Sequence, residues 1–187
     1  MIRIKLFPTE GDLIKSVDML EGVAKQVPSV ISNAVNRALE QGRTAAVRSV
    51  TKEYTVKART VRATLKMKRA KKGDYIGELT SKGRRLPLRD FKHSPASGDT
   101  TGANHRQIRV AVKHGAMKPL DNAFIWRGRI FQRLGANRLN IKKKYSNAVP
   151  VMLNNPEVVA EVQDVMQDAL SRRLDYEIKR TLDKAVK

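Results

Sequence analysis

From Val162 to Val186 an apolar residue recurs at every fourth position: Val162, Met166, Leu170, Leu174, Ile178, Leu182 and Val186. A step of four lies close to the 3.6-residue turn, so such a row drifts slowly round one face of a single helix. Its start is marked too. Asn155 is a natural N-cap, Pro156 suits the first helical position, and Glu157 and Glu161 complement the positive end of the helix dipole. The pattern predicts about 30 helical residues, roughly 45 Å at 1.5 Å per residue. That exceeds what a small domain requires. The outer part is expected to project or to pack on a second subunit, which makes Val162, Met166, Leu170, Leu174, Ile178 and Leu182 the candidate subunit interface; packing within one chain is the alternative.

The other end also reads as helical. After a strand-like start (Ile2, Ile4, Leu6), Thr9 can cap a helix whose inner face is Leu13, Val17, Leu20 and Ala24. Pro28 breaks that pattern and fits the first turn of a second helix. There Ile31, Val35, Ala38, Gly42 and Ala45 form a stripe whose later members are small, so that another backbone can approach closely. Such a stripe reads as helix packing rather than as a ligand groove.

Between the ends, 54–69 has a partial helical pattern on Val61, Leu65 and Lys68. Alternation in 74–80, 84–91, 107–113, 123–127 and 129–134 predicts strands, with Arg127-Gly128 as a tight hairpin turn. The Ser-, Gly-, Thr- and Asn-rich stretch 93–105 is expected to be a mobile loop. The fold class that follows is α+β: N-terminal helices and a long C-terminal helix packed on a small, mainly antiparallel β-sheet. One domain, 1–187, is expected, with a helical part at 1–50, a basic β-rich part at 51–150 and the terminal helix at 151–187.

The charge is unevenly spread. Lys and Arg number 38 against 18 Asp and Glu, a formal net charge of +20. Residues 1–50 carry 7 basic and 5 acidic groups and 151–187 carry 6 and 7, whereas 51–150 carry 25 and 6. Two nearly neutral ends thus read as scaffold and the middle as the working surface. A pI near 10.6 points to a polyanionic partner, since such a charge opposes compaction until something offsets it.

Several chemistries are excluded. Without cysteine there is no disulfide, thiolate zinc site, iron–sulfur cluster or thiol nucleophile. His93, His105 and His114 lack metal-ligand spacing, Gly98 and Gly102 are followed by no Lys-Ser/Thr, and no Gly-x-Ser-x-Gly elbow occurs. Of the acids of the middle section, Asp74, Glu78, Asp90, Asp99 and Asp121 are isolated among cations, not paired for acid–base work. No enzyme and no cofactor is expected. No apolar run approaches the roughly 18 residues of a membrane span, and residues 1–10 lack a signal-peptide core; a soluble cytoplasmic product is expected.

Two runs concentrate the positive charge. Lys57, Arg59, Arg62, Lys66, Lys68, Arg69, Lys71 and Lys72 contain no acid, and Arg127, Arg129, Arg133, Arg138, Lys142, Lys143 and Lys144 repeat the theme. Such density attracts phosphates by counterion release. Base reading needs aromatics or amides set among the cations, and Tyr54, Tyr75, Phe91, Trp126, Phe131 and Tyr145 are dispersed in sequence, so non-specific contact with nucleic acid, or contact with an acidic protein, is the expectation.

A series of segments, taken in order, points further. Ala34-Val35-Asn36-Arg37-Ala38 is followed by Tyr54-Thr55-Val56-Lys57 and Leu86-Pro87-Leu88-Arg89-Asp90-Phe91. Ala123-Phe124-Ile125, Gly128-Arg129-Ile130-Phe131-Gln132-Arg133-Leu134-Gly135 and Arg138-Leu139-Asn140-Ile141 come next. Last is Ala148-Val149-Pro150-Val151-Met152-Leu153, ahead of the terminal helix. In this order they resemble the minor tail protein Z family of tailed bacteriophages and prophages, the tail completion proteins, over roughly 27–187. The resemblance implies a structural virion protein at the head–tail joint or upper tail, made in the host cytoplasm and assembled as a ring, sixfold to match the tail tube. Its implied neighbours are the tail terminator, the tail tube or a head-completion protein, with the end of the phage genome in the tail entrance. It implies no catalytic residue.

Two rival readings stand beside it. A free-standing non-specific nucleic-acid-binding protein would bind duplex DNA without virion partners. A cationic membrane-surface protein would need a basic amphipathic helix, which the acidic first half of the terminal helix fits badly.

Overall fold

A computed structural model describes residues 1–96, 98, 100, 106–135, 137 and 139–185. Arg138, Val186 and much of the predicted loop, His105 included, lie outside the described residues. The chain opens with β1 (Ile2–Leu6) and α1 (Glu10–Met19), and a short 3-10 turn (Glu21–Gln26) leads into α2 (Val27–Glu53). The capping of α1 is reciprocal: the Thr9 hydroxyl accepts from the Asp12 N–H at 3.2 Å, and the Asp12 carboxylate accepts from the Thr9 N–H at 2.9 Å. Pro28 stands in the first turn of α2, where its missing N–H costs nothing.

Of the predicted inner face of α1, Leu20 is buried and Leu13 half-buried, whereas Val17 and Ala24 are exposed. Ser16 is the buried residue of α1 instead, because its hydroxyl donates to the Asp12 carbonyl at 2.7 Å and enters the interior satisfied. This corrects the expected orientation of the helix.

After α2 come α3 (Ala58–Thr64) and, without a break, β2 (Leu65–Lys68), then β3 (Gly77–Ser81). The single helix expected over 54–69 is therefore cut at Leu65, where pairing with β3 overrides helical propensity. The strand expected at 84–91 is a 3-10 turn (Leu88–Asp90): Pro87 has no N–H to give a ladder, and Leu88 and Phe91 both point into the core at helical spacing. Six short strands follow: β4 (Lys92–Ser94), β5 (Ile108–Ala111), β6 (Lys118–Leu120), β7 (Ala123–Trp126), β8 (Arg129–Arg133) and β9 (Ile141–Lys143). The chain ends in α4 (Val149–Leu153) and α5 (Pro156–Ala185).

The fold is α+β, with all strand pairs antiparallel among the described residues. Instead of one small sheet there are three, each of three strands, ordered β1–β3–β2, β4–β5–β6 and β7–β8–β9. Apolar residues of all three and of the helices share one core.

The centre of that core is the contact of α2 with α5. Val162, Met166, Leu170, Leu174 and Ile178 are buried there and Leu182 is packed against them. This overturns the expectation that the row is a subunit interface. A 30-residue helix is accommodated within the chain because α2, at 27 residues, is nearly as long and lies against it. The small stripe of α2 allows the approach: a methyl group at Gly42 would fall far inside the contact distance of Met166 Cγ and Sδ. The predicted cap of α5 is present, with the Asn155 Oδ1 accepting from the Glu157 N–H at 3.3 Å.

Candidate polyanion-binding surface

The β1–β3–β2 sheet has two unlike faces, because successive strand residues point to opposite sides. Ile4, Leu6, Leu65, Gly77, Leu79 and Ser81 are buried on the side of the core. At Gly77 the backbone comes so close to α2 that an added Cβ would lie 3.1 Å from Val35 Cγ1. The opposite face carries the charge. In register, Arg3 sits across from Thr80 and Thr80 across from Lys66; in the next row Lys5 faces Glu78, which faces Lys68. Four cations thus surround one carboxylate.

Glu78 lies 3.7 Å from Arg3. Lys5, Lys66 and Lys68 are in no ion pair among the described residues. Like charges held side by side on one sheet repel, so an anion placed against this face would relieve that repulsion.

Other members of the first basic run extend the same surface or leave it. Lys57 precedes α3, and Arg59 and Arg62 stand exposed on it, directly ahead of β2. Lys71 and Lys72 form an exposed turn closed by the Lys71–Asp74 backbone pair, with Gly73 at φ +87°. Arg69 is occupied otherwise: its guanidinium donates to Glu40 of α2 at 2.9 Å.

The second run lies on a different sheet. At the β7–β8 hairpin Arg127 and Gly128 take φ 45° and 69°, the left-handed pair of a tight turn, as their sequence predicts. One face of this sheet sends Ala123, Ile125 and Ile130 into the core. The other gathers Phe124, Trp126 and Phe131, with ring centroids 5.9 Å apart in both the Phe124–Phe131 and Trp126–Phe131 pairs. Cations lie on these rings: Arg127 over Trp126 at 4.8 Å, Arg133 over Phe124 at 5.1 Å, and Lys143 over the neighbouring Tyr145 at 5.0 Å. Arg129, opposite Trp126, shares that face. Lys142 pairs with Gln132 and points to the other side. Lys144 follows β9, its N–H donating to the Ile130 carbonyl.

The sequence therefore misleads in two respects. Its aromatics are not all dispersed: Trp126 and Phe131 meet across the hairpin register, while Tyr54 and Phe91 are core residues. Arg3 and Lys5, which belong to a nearly neutral end of the chain, complete the first cationic face. The alternation of Ile2, Arg3, Ile4, Lys5 and Leu6 carries that signal.

A third cluster is structural. Glu53, at the end of α2, accepts from Lys113 Nζ at 2.5 Å and from Asn155 Nδ2 at 2.9 Å, tying α2 to the loop after β5 and to the start of α5. The Lys113 hydrogen bond, against an opposing desolvation, holds the Glu53 carboxyl below its ordinary value and raises the Lys113 ammonium; burial raises the Tyr54 phenol. His93 and His114 bond to the Phe91 and Thr51 carbonyls. Among the described residues no three metal-capable side chains cluster, and no helix is long and apolar enough to cross a membrane.

The family model described as prophage minor tail protein Z (GPZ) matches residues 12–187. The chain belongs to the minor tail protein Z family. No curated protein and no solved structure matches it. Membership makes it a component of a phage tail. The matched span takes in the whole β7–β8–β9 sheet and, of the first cationic sheet, β2 and β3; β1, with Arg3 and Lys5, precedes it.

Proposed function

We propose that this minor tail protein completes the tail at the head–tail joint, working as a ring of identical subunits, sixfold to match the tube, through which the end of the genome passes. The observation that carries the reading is the outer face of β1–β3–β2, where Arg3, Lys5, Lys66 and Lys68 surround the single carboxylate Glu78. Phosphates spaced along DNA neutralise such a face without reading its sequence, and a ring repeats it into a belt round the lumen. Tail terminator, tail tube or head-completion proteins are the neighbours above and below, in the virion after assembly in the host cytoplasm. Family membership disfavours a free-standing DNA-binding protein, which would need no virion neighbours. Deleting the gene tests the reading: heads and tails should accumulate unjoined. Normal infectious particles from the deletion would exclude the role.

A further inference from the structure

Among the described residues thirteen large hydrophobic side chains are exposed, five of them at 1–19 and five at 126–145. Exposed apolar groups gathered in patches mark interaction sites. The two patches carry opposite charge. On α1, Ile14 and Val17 are each 55% exposed and share one helical face with Glu10 and Asp18. The lysine of that helix, Lys15, is already paired with Asp175 of α5 at 2.6 Å, so the outward charge of α1 is negative. On the hairpin sheet, Trp126 is 40% exposed, stacked with Arg127 and in register with Arg129.

From this complementarity we infer that the α1 face of one copy docks on the Trp126–Arg129 face of the next copy, head to tail. Both halves of the pair are on every chain, yet α1 packs on α2 and α5, the hairpin sheet packs on the Leu88–Asp90 turn, and both faces remain exposed. They are covered together only by a second molecule. A contact between two different faces is heterologous and closes into a ring when its rotation permits. Trp and Arg are the residues that interfaces favour at their centres, and acids opposite them fix partner and register. Single-stranded DNA is the weaker occupant of the aromatic face. Ile141, in register with Arg133 on the same sheet face, adds exposed aliphatic surface, and nucleic-acid interfaces are polar. The inference rests on the multi-copy ring proposed above and names its contact.

Sedimentation velocity on the full chain tests it. Wild type should form oligomers whose association weakens with salt. Glu10→Lys/Asp18→Lys removes one face and Arg127→Glu/Arg129→Glu the other; each variant alone should lose at least tenfold in self-association and sediment as a monomer. Mixed, they should associate again, alternating along the assembly, since the two unaltered faces are complementary and so are the two reversed ones. That recovery also shows both variants to be folded. A monomeric wild type, two variants that assemble like wild type, or a mixture that fails to pair while both variants melt cooperatively would each overturn the contact. So would an Arg127→Glu/Arg129→Glu chain that still self-associates but no longer binds single-stranded DNA. A monomeric wild type combined with unjoined heads and tails in the deletion overturns this contact alone; normal deletion particles overturn the proposed role and leave the sedimentation result standing.

Discussion

Replacing Gly42 by Ala tests whether α2 and α5 form the interior of a single chain. Two effects compete. Alanine in a helix interior gains about 1 kcal/mol over glycine. Against this, the new methyl overlaps Met166 Cγ and Sδ, and Met166 is fully buried, so its side chain has little room to swing away. Overpacking of that kind costs about 1–3 kcal/mol. The net expectation is a loss of about 1 kcal/mol, or some 2–4 °C in Tm for a chain of this size. Met166→Ala alone removes a buried side chain and should cost about 2–5 kcal/mol. In the double variant the alanine methyl enters the space the thioether leaves, so the pair should be about 1 kcal/mol more stable than Met166→Ala alone. The two sites then couple by about 2 kcal/mol, within the range for side chains in contact. Urea denaturation of the four proteins at concentrations where all are monomeric measures the cycle. Additive effects, or a Gly42→Ala chain more stable than wild type, would refute the packing argument. A Met166→Ala chain with unchanged monomer stability but weakened oligomers would return the α5 row to the role of subunit interface.

Two smaller perturbations follow from local chemistry. Glu53→Gln should lower Tm at pH 7; because the folded carboxyl is held below its ordinary value of 4.5, the contribution is complete above that value and disappears as pH falls through the folded one, so the gap to wild type should close in acid, which thermal melts across pH would record. Gly128→Ala meets no atom within 4 Å but forces a Cβ into φ +69°, a cost of about 1–2 kcal/mol, and Gly128→Asn should cost less; chemical denaturation compares them.

What is legible in the sequence is mostly chemistry completed within a few residues. The Thr9 cap, Pro28 in a first turn, the Asn155-Pro156 start of α5 and the Arg127-Gly128 hairpin are all present, because each depends on neighbours in the chain. What escapes depends on pairing over long separations. Nothing near Lys66 tells that Arg3 will lie two strands away on the same sheet face; β3 brings them together by register. Nothing in the spacing of the α5 row tells whether its cover is α2 or a second chain, since both offer an apolar groove. The 84–91 segment departs from its alternation for a different reason: Pro87 sits inside it, and the missing N–H decides against a strand.

Whether DNA neutralises the outer face of β1–β3–β2 is measured most directly by the salt dependence of binding. The full chain and a Lys66→Glu/Lys68→Glu variant would be titrated with duplex DNA of unrelated sequences between roughly 50 and 200 mM salt, a range over which phosphate neutralisation dominates the change in affinity. Both side chains are exposed or half-exposed at the sheet surface and outside any ion pair among the described residues, so the variant should melt within a degree or two of wild type. Its slope of log K against log salt should be shallower by about 2, one for each phosphate that a lysine no longer neutralises, and equally so for every sequence. A variant that keeps the wild-type slope and affinity would contradict the claim.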